Sequence, residues 1–280
     1  MIALEAERLR LGYEQKVVLD GIDLGIEQGS VTTLIGANGC GKSTLLKAFG
    51  RLLTPLGGEV RLSGQPLREL SAKRLARRLA VLPQKPLTPA ATTTRDLVLR
   101  GRSPHQSLLR PWTPADAATV DAALAATGLT DLAERDVNTL SGGQLQRAWV
   151  ALVLAQETPT ILLDEPTTYL DLSHQLEVLR LVRRINRERG TTIVMVLHDL
   201  GLAARFSDRL VVLHQGQVLA DGTPWQVLTP EVLATAFGLA ARVVPDPVTG
   251  SPLVVPIEPS DDPSAAAATR HDSDQLVRLG

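Results

Sequence analysis

The chain has 280 residues, 44% of them hydrophobic, with 29 lysines and arginines against 30 aspartates and glutamates. That length supports a substantial core. The near-even charge balance argues against a nucleic-acid binder, which draws much of its affinity from a basic surplus. Cys40 is the only cysteine, so no internal disulfide is possible and a reducing compartment fits.

The N-terminus, Met1-Ile2-Ala3-Leu4-Glu5-Ala6-Glu7, has acids where a signal peptide has bases and an apolar stretch. No apolar run reaches membrane-spanning length, so work at a membrane would need a partner to hold the chain there. Strand-like and helix-like segments alternate, the pattern of an α/β fold. Residues 31–35 form a short apolar run ending at a glycine-rich turn, and a helix is predicted from Ser43. The runs 160–163, 191–197 and 210–213 are rich in β-branched residues or leucine. Such runs suit strands buried on both faces of a parallel sheet.

Between Pro86 and Thr158 alanine and leucine dominate and helix starts recur. Thr93 and Asp96 have the spacing of a capping box, with Asp in the place of Glu. Thr113-Pro114 sets a cap before a proline at the first helical position, and Gly128 closes that helix. Thr223-Pro224 with Gln226, and then Thr229-Pro230, start two further short helices. Apolar segments flanking Asp246-Pro247-Val248-Thr249-Gly250 predict a hairpin. From Glu258 the chain is rich in Pro, Ser, Asp and Ala, a composition expected to lack structure of its own. The expected organisation is one domain over 1–257: a core of about 1–85 and 158–222, a helical insert of about 86–157, an extension over 223–257, and a disordered tail, 258–280. No internal repeats are visible.

Gly36-Ala37-Asn38-Gly39-Cys40-Gly41-Lys42-Ser43, followed by Thr44, fits the phosphate-loop pattern. Glycines let backbone N–H groups converge on phosphate oxygens, and the helix behind the loop adds its positive end. Lys42 is expected to reach the β- and γ-phosphates of ATP, and Ser43 to ligate Mg²⁺. Cys40 occupies a variable place in the loop and reads as small filler, with a reactive thiol as the sharper alternative.

Ile161-Leu162-Leu163-Asp164-Glu165 is a buried-strand run ending in two acids. Read alone, this is also an acidic turn. Beside a phosphate loop, Asp164 suits the outer sphere of Mg²⁺, and Glu165 suits a general base for the attacking water. Ser141-Gly142-Gly143 precedes a second good helix, so a hydroxyl, two bare backbone units and a helix N-terminus again aim at an anion. Taken alone this is equally an ordinary helix cap. One triphosphate has little use for both sites of a single chain.

Leu140-Ser141-Gly142-Gly143-Gln144 resembles the signature motif of ATP-binding-cassette (ABC) ATPases, and other family motifs occur in order over residues 1–257. Tyr13 resembles the aromatic that stacks on adenine. Gln84 resembles the glutamine that senses Mg²⁺ and the transport partner. Thr168-Tyr169-Leu170-Asp171 resembles the D-loop, and His198 the switch histidine near the γ-phosphate. Most family members have Ser-Ala where this chain has Thr168-Tyr169. The resemblance implies a P-loop NTPase (RecA-like) fold with a mostly parallel sheet, an antiparallel N-terminal β region and an inserted helical subdomain. It also implies a homodimer in which the signature of one copy and the phosphate loop of the other enclose each ATP.

The interval from Gln84 to Ser141 is too short for a coiled-coil insertion, and a single cassette with no fused membrane span is expected. The resemblance therefore points to a separate motor subunit rather than a soluble ATPase of nucleic acid or the ribosome; a P-loop kinase would leave the signature without a purpose. Arg100-Gly101-Arg102-Ser103-Pro104-His105, Asp171-Leu172-Ser173-His174-Gln175 and Asp246-Pro247-Val248-Thr249-Gly250-Ser251-Pro252 resemble segments of iron–siderophore importers, whose haem and cobalamin counterparts are close relatives. An importer subunit of this kind is expected to sit peripherally on the cytoplasmic face of the inner membrane. A permease is expected to dock near Gln84 to His105, an extracytoplasmic substrate-binding protein to act indirectly, and nucleic acid to be no partner. Lys73, Arg74, Arg77 and Arg78 read as a solvated basic face of a helix, or as a site of attraction to anionic lipid.

Overall fold

The computed structural model describes residues 1–258 except 15, 85, 87–89, 107–111 and 169. The expected tail beyond Glu258, Tyr169 and part of the segment from Gln84 to His105 therefore lie outside the described residues. In chain order the first elements are β1 (Ile2–Tyr13), β2 (Lys16–Glu27), β3 (Val31–Ile35), α1 (Lys42–Phe49), β4 (Gly57–Leu62), β5 (Gln65–Pro66), α2 (Ala72–Ala76) and β6 (Leu79–Leu82). Then come α3 (Thr94–Leu99), a 3₁₀ segment at Arg100–His105, α4 (Pro114–Ala126) and α5 (Gly142–Ala155). The chain continues through β7 (Thr160–Asp164), α6 (Leu172–Arg189), β8 (Thr192–Val196), α7 (Leu200–Phe206), β9 (Arg209–His214) and β10 (Gln217–Gly222). It closes with α8 (Pro224–Val227), α9 (Pro230–Phe237) and the antiparallel hairpin β11 (Ala241–Pro245) and β12 (Pro252–Pro256).

Six strands form the central sheet in the order β10-β9-β3-β8-β7-β6. All neighbours are parallel except β10, which pairs antiparallel at one edge. The continuous apolar runs are strands covered on both faces, as predicted. Along β8, Ile193 and Met195 join one apolar cluster while Val194 and Val196 join the other, and β7 alternates likewise. The first cluster collects α3 to α7. The second holds Leu45, Leu46 and Phe49 of α1 against the antiparallel sheet β2-β1-β4-β5. Helix α1 is thus clamped between two sheets, which fixes the loop in front of it.

The predicted caps form. Thr93 with Asp96 and Thr113 with Asp116 each make both bonds of a capping box, and Gly128 comes after α4 with φ of 64°. Helix α2 stops at Ala76, so Arg77 and Arg78 lie beyond it; Lys73, Arg74 and Arg77 are exposed, as a solvated basic face requires, and three of the four cations also reach carbonyl groups. Arg77 Nε donates to Pro104 O at 2.8 Å, Arg78 to Leu62 O at 3.2 Å, and Lys73 to Gln106 O.

Candidate functional site

Four adjacent parallel strands, β3, β8, β7 and β6, end on one side of the sheet. The chain leaving each supplies part of the site: the phosphate loop after β3, His198 after β8, Asp164-Glu165 at the end of β7, and Gln84 after β6. This is the crevice outside strand carboxyl ends where α/β sheets hold ligands.

Gly36 has φ of 143°, and a Cβ there would stand 2.2 Å from the Leu213 carbonyl oxygen. Gly41, at φ 109°, is the N-cap of α1. Only glycine accepts these backbone states without strain. The intervening Ala37, Asn38, Gly39 and Cys40 complete the loop, and Thr44 is buried in the first turn of α1. Lys42 is buried, and its ammonium is fixed within the loop, donating to Gly36 O at 2.8 Å and Ala37 O at 3.0 Å, with Cys40 Sγ 3.9 Å away.

Ser43 Oγ donates to Asp164 Oδ1 at 2.9 Å, so the two expected Mg²⁺-side groups already meet. Glu165 sits at φ 52° and collects three donors. His198 Nε2 lies 2.6 Å from Oε1, while Gln84 Nε2 and Thr168 Oγ1 donate to Oε2 at 2.5 and 3.0 Å. Burial pushes the Glu165 carboxyl up, but the bonds from His198, Gln84 and Thr168 outweigh it and hold it below the usual glutamate range. Burial raises Asp164, only partly offset by the Ser43 hydroxyl, and the Glu165 charge adds to the rise. Thr168 is the partner that sequence reasoning did not assign to Glu165. Its only local signal is a hydroxyl three residues beyond the acid.

Ser141 caps α5 in a capping box with Gln144, so the ordinary cap reading is realised. It does not exhaust the motif. Ser141 and Gly142 are exposed, and a Cβ on Gly142 would meet nothing within 4 Å. Leu140 packs on the core behind them. Gly143 lies against the His174 ring. The His174 Nδ1 is 2.8 Å from Asp171 Oδ1. Asp171 caps α6, and bonds from the His174 backbone, Ser173 and the His174 ring lower its carboxyl to about 2. The bonds of Ser141 and Gln144 run to each other. Tyr13 is exposed at the end of β1, with Lys47 Nζ 6.0 Å from its ring centre.

Comparison with known proteins places this geometry. The family model described as ABC transporter matches residues 19–168. The achromobactin transport ATP-binding protein of Dickeya dadantii is 49% identical over 256 residues, covering 91% of this chain and 95% of that protein. The ferric enterobactin transport ATP-binding protein of Escherichia coli is 47% identical over 254 residues, covering 91% and 94%. Among solved structures, a dimeric bacterial ABC transporter cassette superposes with a TM-score of 0.71 at 26% identity, over 79% of this chain and 98% of that one.

Proposed function

The chain belongs to the ABC transporter family of ATPases, and from that premise we propose that it is the ATP-hydrolysing subunit of an importer for iron–siderophore complexes, driving a separate membrane permease. The observation that carries the enzymatic part is the Glu165 carboxylate, ringed by His198, Gln84 and Thr168, and next to the Ser43–Asp164 pair. Relatives named for achromobactin and ferric enterobactin transport support the cargo class.

In this reading the loop from Gly36 to Thr44 binds the phosphates of ATP, Lys42 neutralises them, and Tyr13 stacks on the adenine. Glu165 takes the proton of the attacking water. His198 orients that carboxylate and faces the γ-phosphate. Oε2 carries two donors and Oε1 only one, so Oε1 keeps a lone pair to which the attacking water can donate; Gln84, on the segment leaving β6, is the donor most directly tied to the docking region. The Ser43 hydroxyl, the Asp164 carboxylate and the Gln84 amide oxygen are hard oxygen donors, which fit a Mg²⁺ ion that retains waters and takes phosphate oxygens. Among the described residues no cluster of three His, Cys, Asp or Glu side chains competes as a metal site. When bound, the ion neutralises phosphate charge.

The exposed Ser141-Gly142-Gly143 turn is read as the half-site for the ATP of a second copy, with Leu140 and Gln144 holding it and Asp171 lying beside the contact. ATP then favours closure because only the closed dimer makes these bonds. The permease bears on the region from Gln84 to His105, and an extracytoplasmic binding protein delivers the cargo to it. No helix among the described residues is long and apolar enough to cross a membrane. The proposed place is peripheral, on the cytoplasmic face of the inner membrane.

Uptake of ferric chelates by cells lacking the gene tests the reading. Wild type should restore uptake and Glu165→Gln should not. Restored uptake of haem or cobalamin but not of ferric siderophores would reassign the cargo.

A further inference from the structure

The His174 ring stands beside the Ser141–Gly143 turn. A Cβ on Gly143 would lie 3.3 Å from its Cδ2, 3.4 Å from Cγ and 3.7 Å from Nε2, so these three atoms are the part of the ring that meets the turn. Ser141 and Gly142 are exposed, and the His174 side chain keeps 37% of its surface open. The ring therefore borders the same open surface as the signature.

The other nitrogen of the ring is fixed. Asp171 Oδ1 accepts from the His174 backbone N–H at 3.0 Å and from the Ser173 hydroxyl at 2.8 Å, and His174 Nδ1 lies 2.8 Å from the same oxygen. Those bonds, the backbone one foremost, hold the Asp171 carboxyl at about 2. At neutral pH that group only accepts, so Nδ1 must carry the hydrogen. Asp171 thereby sets the tautomer and leaves Nε2 as the nitrogen that changes. In the neutral ring Nε2 offers a lone pair, which repels a phosphate oxygen; in the charged ring it offers an N–H. Among the described residues Nε2 takes no hydrogen bond. The charged groups that α5 and α6 carry near the ring are Asp171, Glu177 and Arg147. Glu177 is three residues along α6, and Arg147 NH1 donates to it at 2.7 Å, so that pair largely cancels.

We infer that His174 is a further ATP-binding residue: anchored by Asp171 through Nδ1, it takes a proton on Nε2 and makes a charged hydrogen bond to a phosphate oxygen of the ATP that a second copy brings to Ser141–Gly143. Closure of the dimer then takes up protons from solvent, one per composite site. This rests on the proposed reading that Ser141–Gly143 meet the ATP of a second copy.

ATP-driven dimerisation of the full chain, followed by light scattering with Mg²⁺ between about pH 8 and about pH 6, tests it across the range where histidine titrates. A Glu165→Gln background keeps the nucleotide intact and removes that carboxylate from the titration. An anion within about 4–6 Å favours the charged form of a histidine by about tenfold or more. The dimer should therefore tighten by at least about tenfold over its two sites as pH falls through the ordinary histidine value of about 6.5. His174→Asn puts an amide N–H in reach of Asp171 but has nothing at the Nε2 position. It should fold with the parent's thermal midpoint and lose most of that tightening, dimerising at about pH 8 much as the parent does. His198 and the nucleotide titrate in both proteins, so the difference between them belongs to His174. If the Asn variant does not fold, His174→Gln, with an uncharged amide in reach of the Nε2 position, should show the same loss. Equal pH dependence in parent and folded variant overturns the inference. So does a dimer weakened equally at every pH, which would make the ring a steric support for the turn. No ATP-driven dimer of the parent at any pH instead removes the two-copy reading beneath it.

Discussion

Replacing Glu165 with Gln probes the site most directly. Both carboxylate oxygens face donors: His198 Nε2 at 2.6 Å on one, Gln84 Nε2 at 2.5 Å and Thr168 Oγ1 at 3.0 Å on the other. A glutamine offers one oxygen and one NH₂, so one side must re-pair, and Gln84 can do so by turning its amide over. Hydrogen bonds to a charge contribute about 1.5–3 kcal/mol and neutral ones about 0.5–1.5. The exchange is softened because His198 is half exposed and because repulsion between Glu165 and Asp164 disappears. Folded stability should therefore shift by no more than about 1–2 kcal/mol. Removing a general base costs about 10²–10⁴ in rate, or roughly 3–5 kcal/mol of barrier. Phosphate release should fall by that factor while nucleotide binding persists and an ATP-bound dimer accumulates in light scattering. Since the carboxyl is held below the usual glutamate range, wild-type hydrolysis should keep its ionised base as pH falls to about 4.3. Turnover within about tenfold of wild type would refute Glu165 as the base. Lost binding would refute the organisation of the loop around it.

Gly36→Ala forces a Cβ to 2.2 Å from Leu213 O at a φ of 143°, adding about 1–3 kcal/mol of strain; a lower thermal midpoint and lost ATP affinity are expected, and binding like wild type would contradict the loop geometry. A mixed dimer with Ser141→Arg in one copy and Lys42→Ala in the other keeps one intact site if signature and loop act between copies; complete loss of ATPase activity would mean that they act within one chain. The Thr113 hydroxyl, ahead of the Arg102 guanidinium, holds buried Asp116 below the usual carboxylate range against the push of burial. Its stabilisation is fully present above the unfolded pKa of about 3.9 and is lost as pH falls through the lower folded value. Melting curves in that acid window should be flatter for Asp116→Asn. Alkylating Cys40, half-buried in the loop 3.9 Å from Lys42 Nζ, with a bulky reagent should block ATP binding, measured with a fluorescent nucleotide; unchanged binding after full modification would count against its place in the loop.

The parts of this protein legible in its sequence are those whose physics is local. The loop from Gly36 to Ser43 declares itself because its glycines answer to backbone states within the loop. The strands β3, β7 and β8 are legible because burial on both faces leaves an unbroken apolar run. By contrast β1 and β2 alternate buried and exposed positions and carry register shifts, and the antiparallel region is expected only through family resemblance. The basic cluster from Lys73 to Arg78 is exposed at Lys73, Arg74 and Arg77, as its sequence suggests, but its carbonyl partners, up to 33 residues away, leave no trace there. Arg102 gives no sign of burial, since Asp116 is 14 residues on and Ala155 is 53. The same reasoning applies to Glu165. Nothing in the local sequence joins Gln84 and His198 to Glu165 and its near neighbour Thr168. Strand order does, by setting β6, β7, β8 and β3 side by side with all four carboxyl ends on one edge. A substitution that leaves every motif intact but displaces β7 relative to β8 should therefore damage hydrolysis as surely as one in the loop, because the base and its partners come from different strands.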